Sequence, residues 1–360
     1  MEIDFVETVM NGMLSLLLFA GALHTDLSRL KERLATIGAL ATVGVLISAL
    51  VAGFLAYGLF QLCGVPVPLI WCMAFGALIS PTDPIAVLGV MKAAKAPEQL
   101  EIKVIGESLL NDGTGVILYT VFVGVGVAMM QGGEAAAAEA MTAGAVATLL
   151  AQEILGGIAL GLVAGYLCFR AFKTLDEPNL EILMTVATVF VIGSVALKLH
   201  LSGPLAAVVA GLFIGNRGRI QAMSDTTAQN LDVVWTFIDE TLNAVLFLLI
   251  GLEVFAIDTR PAYLIVGAVL IPAVLLARFV GVAAPVFALR MTREIDAGTI
   301  RMLTWGGLKG GVSVALAMKL PEFDGRTAVL TVTYMIVVFS IIVQGLSIGR
   351  VIRKLYPTSA

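Results

Sequence analysis

The sequence predicts an all-α polytopic membrane protein of about eleven transmembrane helices, arranged as an inverted repeat around two interrupted helices. Three observations carry that expectation: an apolar composition, a series of long apolar runs, and basic residues confined to alternate loops. Of 360 residues, 59% are hydrophobic and 13% charged, and the mean hydropathy is +0.99. A soluble domain is about 25% charged and about 45–50% apolar, so water is excluded as the main solvent of this chain. A soluble enzyme and a disordered chain are excluded with it. The 22 Lys and Arg are outnumbered by 26 Asp and Glu, so no basic surplus meets phosphate and no nucleic-acid partner is expected. Cys63, Cys72 and Cys168 are scattered in apolar segments without metal-ligand spacing and read as small buried residues. The chain opens Met-Glu-Ile-Asp, which lacks the basic start of a cleaved signal peptide.

Apolar runs bounded by charges or Gly/Pro clusters give candidate spans at 5–24, 36–60, 69–91, 104–130, 146–169, 181–199, 203–216, 233–256, 262–289, 299–318 and 327–349. The 203–216 run is short, so it must tilt or extend into the loop that follows. Alanine-rich 134–140 reads as a loop that widens a turn. Basic residues test the count. One set of loops holds Arg29, Lys31, Arg33; Lys92, Lys95, Lys103; Arg170, Lys173; Arg217, Arg219; Arg290, Arg293, Arg301; and Arg350, Arg353, Lys354. The alternate loops hold only Lys198, Arg260, Lys319 and Arg326. That bias puts the first set and the C-terminus in the cytoplasm and the N-terminus outside.

Two basic residues, Arg278 and Lys309, are left inside spans. Asp83, Glu107 and Asp112 lie at similar depth, with Glu153, Asp239, Glu240 and Glu253 nearer the helix ends. An ionisable group at the bilayer centre costs at least about 2.5–3.5 kcal/mol. Charges kept there in number point to an ion pathway in preference to a set of structural pairs. Asp239 and Glu240 fit either an access funnel or a solvated helix start.

The third span reads GALISPTDPIAVLGV, with Pro81 and Pro84 flanking Thr82 and Asp83. Each proline removes a backbone donor and clashes with the preceding turn, so the helix should unwind there. Freed carbonyls are hard-cation ligands, and Asp83 can neutralise the positive helix N-termini left by the break. The fourth span begins GESLLNDGTGVIL. Glu107 and Asn111 are four apart, as are Ser108 and Asp112, so two adjacent polar stripes follow one helix face. A carboxylate beside a hydroxyl and an amide suits a desolvated alkali cation. One buried carboxylate can hold a proton or a cation but not both, and that competition alone yields exchange. Gly113 and Gly115 allow close packing against the broken helix.

In the tenth span, TWGGLKGGVSVALAM, four glycines surround Lys309 and mark a second interruption. Lys309 is placed to neutralise the carbonyl end of a half-helix. Arg278, about midway along the ninth span, needs a buried carboxylate, and Glu107 is the expected partner. Spans two to four and nine to eleven each place a broken helix second, and the two triplets enter the bilayer from opposite sides. That is the pattern of a secondary transporter with its site at the two breaks.

SPTDPIAVL, GESLLNDG, SGPLAAVVAGLFIGN, LNAVLFLLIGLEV and WGGLKGGVSVALAM together resemble the monovalent cation:proton antiporter superfamily, in its NhaP-type bacterial branch related to animal sodium/hydrogen exchangers. The resemblance runs over nearly the whole chain. It implies exchange of a monovalent cation, sodium foremost, for protons across the cytoplasmic membrane, with no cofactor beyond the transported Na+ and H+. It implies that Asp112 binds cation or proton, that Asn111 is its partner, and that Ser108 and the Thr82 carbonyl beside Asp83 are cation ligands. Glu107 and Arg278 match the family's buried ion pair, and an Asn-Asp pair goes with electroneutral exchange. Residues 1–360 are then one transporter unit, with 36–130 and 262–350 as ion-translocating halves and 1–30 and 146–256 as dimerisation helices. The first span resembles the family's third, so two N-terminal helices are expected to be missing, and a homodimer is expected where they are present. Ala20 stands where tight sodium binders often place an acid, and Lys309 where relatives often have arginine.

Other classes fit less well. An intramembrane aspartyl protease could use Asp83 and Asp112, but the paired broken helices would then be unexplained. A metalloprotease is excluded because the only histidines, His24 and His200, are far apart and in no HExxH motif. A passive cation channel or a non-transporting cation sensor would share the site and lack coupled proton movement.

Overall fold

The computed structural model describes residues 5–83, 87, 91, 98–175, 177–253, 260–290 and 297–356. Among these residues there is helix and no strand. In chain order the helices are α1 (Phe5–Leu23), α2 (Leu27–Ala39), α3 (Val45–Leu62), α4 (Leu69–Ile79), α5 (Glu98–Ala140), α6 (Ala143–Ala151), α7 (Gly157–Phe172) and α8 (Pro178–Leu199). They continue with α9 (Gly203–Phe213), α10 (Arg219–Gln221), α11 (Asp225–Glu253), α12 (Pro261–Arg290), α13 (Ala297–Trp305), α14 (Gly311–Met318), α15 (Arg326–Phe339) and α16 (Gly345–Leu355). Single π turns at Leu40–Gly44, Gln152–Gly156, Ile214–Gly218 and Ser340–Gln344 join α2 to α3, α6 to α7, α9 to α10 and α15 to α16 without a break.

Among the described residues, six helical stretches are long and apolar enough to cross a membrane: Arg33–Leu62, Leu100–Gly133, Gly144–Phe172, Pro178–Leu199, Pro261–Leu289 and Arg326–Leu355. Shorter apolar helices run over Gly12–Leu23 and Leu69–Ile79. The short 203–216 run gains its length by extension, because the π turn at Ile214–Gly218 carries the helix on to Gln221. The expected loop at 134–140 is instead helical and belongs to α5, which bends at Gly133 (φ 71°, ψ −158°). The reason is intrinsic propensity: Ala and Glu are strong helix formers, and glycine alone absorbs the positive φ. Residues 84–86 and 88–90 of the third span, Pro84 among them, lie outside the described residues, as do 254–256 at the end of the eighth.

The chain divides into two compact units. One comprises Met1–Glu32 and Thr142–Leu248, the other Arg33–Met141 and Leu249–Ala360. In the first unit, α1, α7, α8 and α9 pack around Phe19, Phe172, Ile192, Ala206 and Trp235. The Phe19 and Trp235 rings are 4.6 Å apart, and the Trp235 indole N–H donates to Thr185 Oγ1 at 2.9 Å, which satisfies a polar group the membrane would not.

The second unit holds both interruptions. Here α3 packs on α4 and α12, and α4 packs on α5. Lipid tails are as apolar as leucine, so helices in a bilayer associate through close backbone approach at small residues. Gly44 and Gly281 meet this way: a Cβ on Gly44 would lie 2.7 Å from the Gly281 carbonyl oxygen. Gly76 on α4 lies so close to the Ala49 carbonyl on α3 that a methyl there has no room.

Candidate functional site

The site is assembled where α4 stops. Ile79 is its last helical residue, and 80–83 leave the helix as Pro81 removes a donor. A matching interruption separates α13, ending at Trp305, from α14, beginning at Gly311. The two breaks are joined directly: the Asp83 amide donates to the Leu308 carbonyl at 2.8 Å. Unwound backbone at membrane depth persists only where protein or water satisfies it, and here each break satisfies part of the other.

Lys309 extends that exchange. Its Nζ donates to the carbonyls of Ser80 at 3.0 Å and Pro81 at 3.2 Å, the acceptors freed at the end of α4. An ammonium is thus held at the negative pole of the half-helix. Asp83 occupies the complementary position. Its side chain packs against Gly310, the residue capping the N-terminus of α14, so closely that a Cβ there would lie 2.6 Å from the Asp83 Cβ.

The polar face of α5 lies against the same segment. The Ser108 hydroxyl donates to the Thr82 carbonyl, and Asn111 Nδ2 donates to Thr82 Oγ1 at 2.7 Å. The Thr82 amide points back at Asn111 Oδ1, at 3.4 Å. Asn111 also donates to Glu107 Oε1 at 2.9 Å, so its amide is engaged on both sides and braces the break. Gly115 makes the approach possible, since any Cβ there would run into the Pro81 ring.

Glu107 and Arg278 are brought together from α5 and α12 in a bidentate pair, Nη1 to Oε1 at 2.8 Å and Nη2 to Oε2 at 2.7 Å. Both are almost wholly buried, at 2% and 3% exposure. Arg278 Nε adds a bond to the Leu303 carbonyl at 3.3 Å, so the guanidinium also supports α13 just before its break. Gly307 leaves the space, because a Cβ there would lie 2.7 Å from Arg278 Nε.

Asp112 differs from its neighbours. It is 7% exposed, and its Oδ1 has no hydrogen-bond partner among the described residues. A buried carboxylate oxygen left unpaired costs several kcal/mol in an apolar medium, so it is where a proton or a cation is accommodated at least cost. One helical turn before it stands Ser108, whose hydroxyl meets the Thr82 carbonyl. Carboxylate, hydroxyl and carbonyl are all hard oxygens, and no Cys or His joins them.

Two further buried side chains belong to this arrangement and had no distinctive signal in the sequence. Ser340 Oγ accepts from the Lys309 amide at 2.8 Å, and Gln344 Nε2 donates to the Trp305 carbonyl at 2.8 Å. Both stand in an apolar stretch, VVFSIIVQGL, where a lone polar residue is the only visible clue.

Two interrupted helices that meet at membrane depth, beside a buried carboxylate with one oxygen unpartnered among the described residues, define a secondary transporter. The particular family follows from comparison with known proteins. The chain belongs to the transmembrane sodium/hydrogen exchanger family, whose sequence profile matches residues 2–354. It is 48% identical to the Na(+)/H(+) antiporter NhaP of Pseudomonas aeruginosa over 99% of this chain and 82% of that one. It is 34% identical to the Na(+)/H(+) antiporter NhaH of Halobacillus dabanensis over 98% of this chain and 84% of that one. The structure of the sodium proton antiporter MjNhaP1 from Methanocaldococcus jannaschii at pH 8 matches with a TM-score of 0.79 at 20% identity. That match covers 97% of this chain and 87% of the other, and it establishes the antiporter fold.

Proposed function

We propose that this chain is a Na+/H+ antiporter in which Asp112 carries either a sodium ion or a proton, one in exchange for the other. The observation that carries this reading is the buried Asp112 Oδ1, without a hydrogen-bond partner among the described residues, on the helix that also presents Ser108 to the Thr82 carbonyl. With a proton on Asp112 the site is neutralised by a bond. With sodium it is neutralised by an ion that the Ser108 hydroxyl and the Thr82 carbonyl help to dehydrate. Neither state has room for both charges, so the carrier is loaded by one species at a time.

One-for-one stoichiometry is supported by the commitments of the other charges. Glu107 spends both oxygens on Arg278, and Lys309 spends its ammonium on the α4 carbonyls. That leaves Asp112 as the group that changes hands, and replacing Na+ by H+ on a single carboxylate moves no net charge. In this reading, segments 36–130 and 262–350 are the translocating halves, and 1–30 with 146–256 form the scaffold on which a second copy would dimerise. The protein sits in the cytoplasmic membrane with its basic loops and C-terminus inside.

Everted vesicles holding a respiration-driven pH gradient test the assignment. Added sodium should dissipate the gradient, and Asp112→Asn should abolish the response while leaving the protein in the membrane. Persistence of sodium-driven proton movement in Asp112→Asn would overturn the mechanism, and sodium conductance without proton movement would replace it with a channel.

A further inference from the structure

The chain carries two breaks, and each leaves backbone groups that need partners inside the membrane. For the first break those partners come from α5: Ser108 donates to the Thr82 carbonyl, and Asn111 Oδ1 accepts from the Thr82 amide. The second break is treated in the same way. The half-helix after it is α14 and the next helix is α15; where α15 passes into α16 a π turn spans Ser340–Gln344. Ser340 and Gln344 open and close that turn, are 0% and 2% exposed, and reach the two ends of the unwound segment. Ser340 accepts from the Lys309 amide, and Gln344 donates to the Trp305 carbonyl. Further along, Ser347 Oγ accepts from the Trp305 indole at 2.9 Å.

The bonds of the segment 303–309 can be followed group by group. The Leu303 carbonyl accepts from Arg278, the Gly306 amide donates to the Met302 carbonyl, and the Leu308 carbonyl accepts from the Asp83 amide. The Trp305 carbonyl and the Lys309 amide are held by Gln344 and Ser340. Lys309 closes the segment, and its ammonium ends on the Ser80 and Pro81 carbonyls next to Thr82. A π turn inside an α-helix is rare and is frequently found at functional sites. Here it aims two polar side chains of one helix at both ends of a single break.

We propose that Ser340 and Gln344 are positioning residues for ion exchange: they fix the backbone from Trp305 to Lys309, and so hold the Lys309 ammonium on the carbonyls of the first break and off the cation site. This rests on the assignment of Asp112 as the ion carrier and adds the second half of the repeat to its machinery. With either side chain removed, the segment can move and the ammonium is no longer confined. A freed ammonium near the carboxylates competes with sodium for them, so the effect falls on cation affinity.

The full chain reconstituted into proteoliposomes, with sodium-driven proton flux followed by a pH dye, reads this out. Ser340→Ala and Gln344→Met each remove one bond, the second at nearly constant volume. Each should raise the apparent KM for sodium about tenfold, the equivalent of one buried hydrogen bond, and shift the pH profile of transport. Ser340→Thr, which keeps the hydroxyl, should restore the wild-type KM. A purely structural role predicts a lower Vmax in proportion to folded protein, with KM and pH profile unchanged; that result in either folded variant would overturn the proposal. Asp112→Asn in the same assay separates the two readings. If it is inactive while both variants keep their KM, the positioning role fails alone. If it remains active, the carrier assignment fails first.

Discussion

The Glu107–Arg278 pair allows the sharpest test of how the site is held together. Arg278→Gln removes the bonds at 2.8 and 2.7 Å and leaves Glu107 as a buried carboxylate facing the Asn111 amide at 2.9 Å. Glu107→Gln leaves a buried guanidinium with the Leu303 carbonyl at 3.3 Å. Breaking a buried pair from one side costs about 3–5 kcal/mol, because the surviving charge is uncompensated. Independent losses would sum to about 6–10 kcal/mol in the double variant. The bidentate geometry predicts otherwise. Two neutral amides in the same space need no counter-charge, so Glu107→Gln/Arg278→Gln should be no less stable than either single variant. The coupling energy is then about 3 kcal/mol or more, from the same buried-pair range. Denaturant unfolding of the purified protein in detergent, run as a double-mutant cycle, measures it. Additive losses would refute the reasoning, since each residue would then be held chiefly by other partners.

Three further predictions rest on local geometry. Gly76→Ala should destabilise the second unit by about 1–3 kcal/mol, because the new methyl meets the Ala49 carbonyl and Gly53 backbone of α3. Gly193→Ala on α8 meets nothing within 4 Å and should stabilise by about 0.5–1 kcal/mol; thermal unfolding of the two variants side by side checks the contrast. At the start of α2, Asp26 Oδ1 accepts from the Ser28 hydroxyl at 2.5 Å, and from the Ser28 and Arg29 amides at 2.8 and 3.4 Å. The Ser28 hydroxyl above all holds the Asp26 carboxyl below its ordinary value of 3.8. A lowered folded pKa means the cap is fully present above that value and is lost as pH falls through and below it. Exchange of the Ser28 and Arg29 amides, corrected for intrinsic rates, should therefore lose protection only below about pH 4; lost protection between pH 5 and 7 would contradict the cap.

Much of the site could be read from spacing. Ser108, Asn111 and Asp112 announce themselves because a helix puts residues four apart on one face, and Pro81 marks its break because proline lacks a donor. Arg278 and Glu107 are 171 residues apart, yet so few charges are buried that the shortage itself suggests the pairing. Ser340 and Gln344 gave no such lead. Their partners are the Lys309 amide and the Trp305 carbonyl, and a backbone group has no letter in the sequence. The helix at 134–140 was hidden for a different reason. EAAAAEA is a strong helix former, but it is too short and too polar to count as a span.

The sequence by itself determined the solvent, the all-helical class, the two interruptions and the buried charges Glu107, Asp112, Arg278 and Lys309. Each of these depends on transfer free energies or backbone preferences that a residue carries wherever it stands. Tertiary structure alone decided which groups satisfy one another: Asp83 with the Leu308 carbonyl, Lys309 with the end of α4, Asn111 between Thr82 and Glu107. It also decided that Asp112 keeps an oxygen without a partner among the described residues. Hydrogen bonding is a matter of distance and direction between segments remote in the chain, and burial without a partner exists only once every neighbour has been placed.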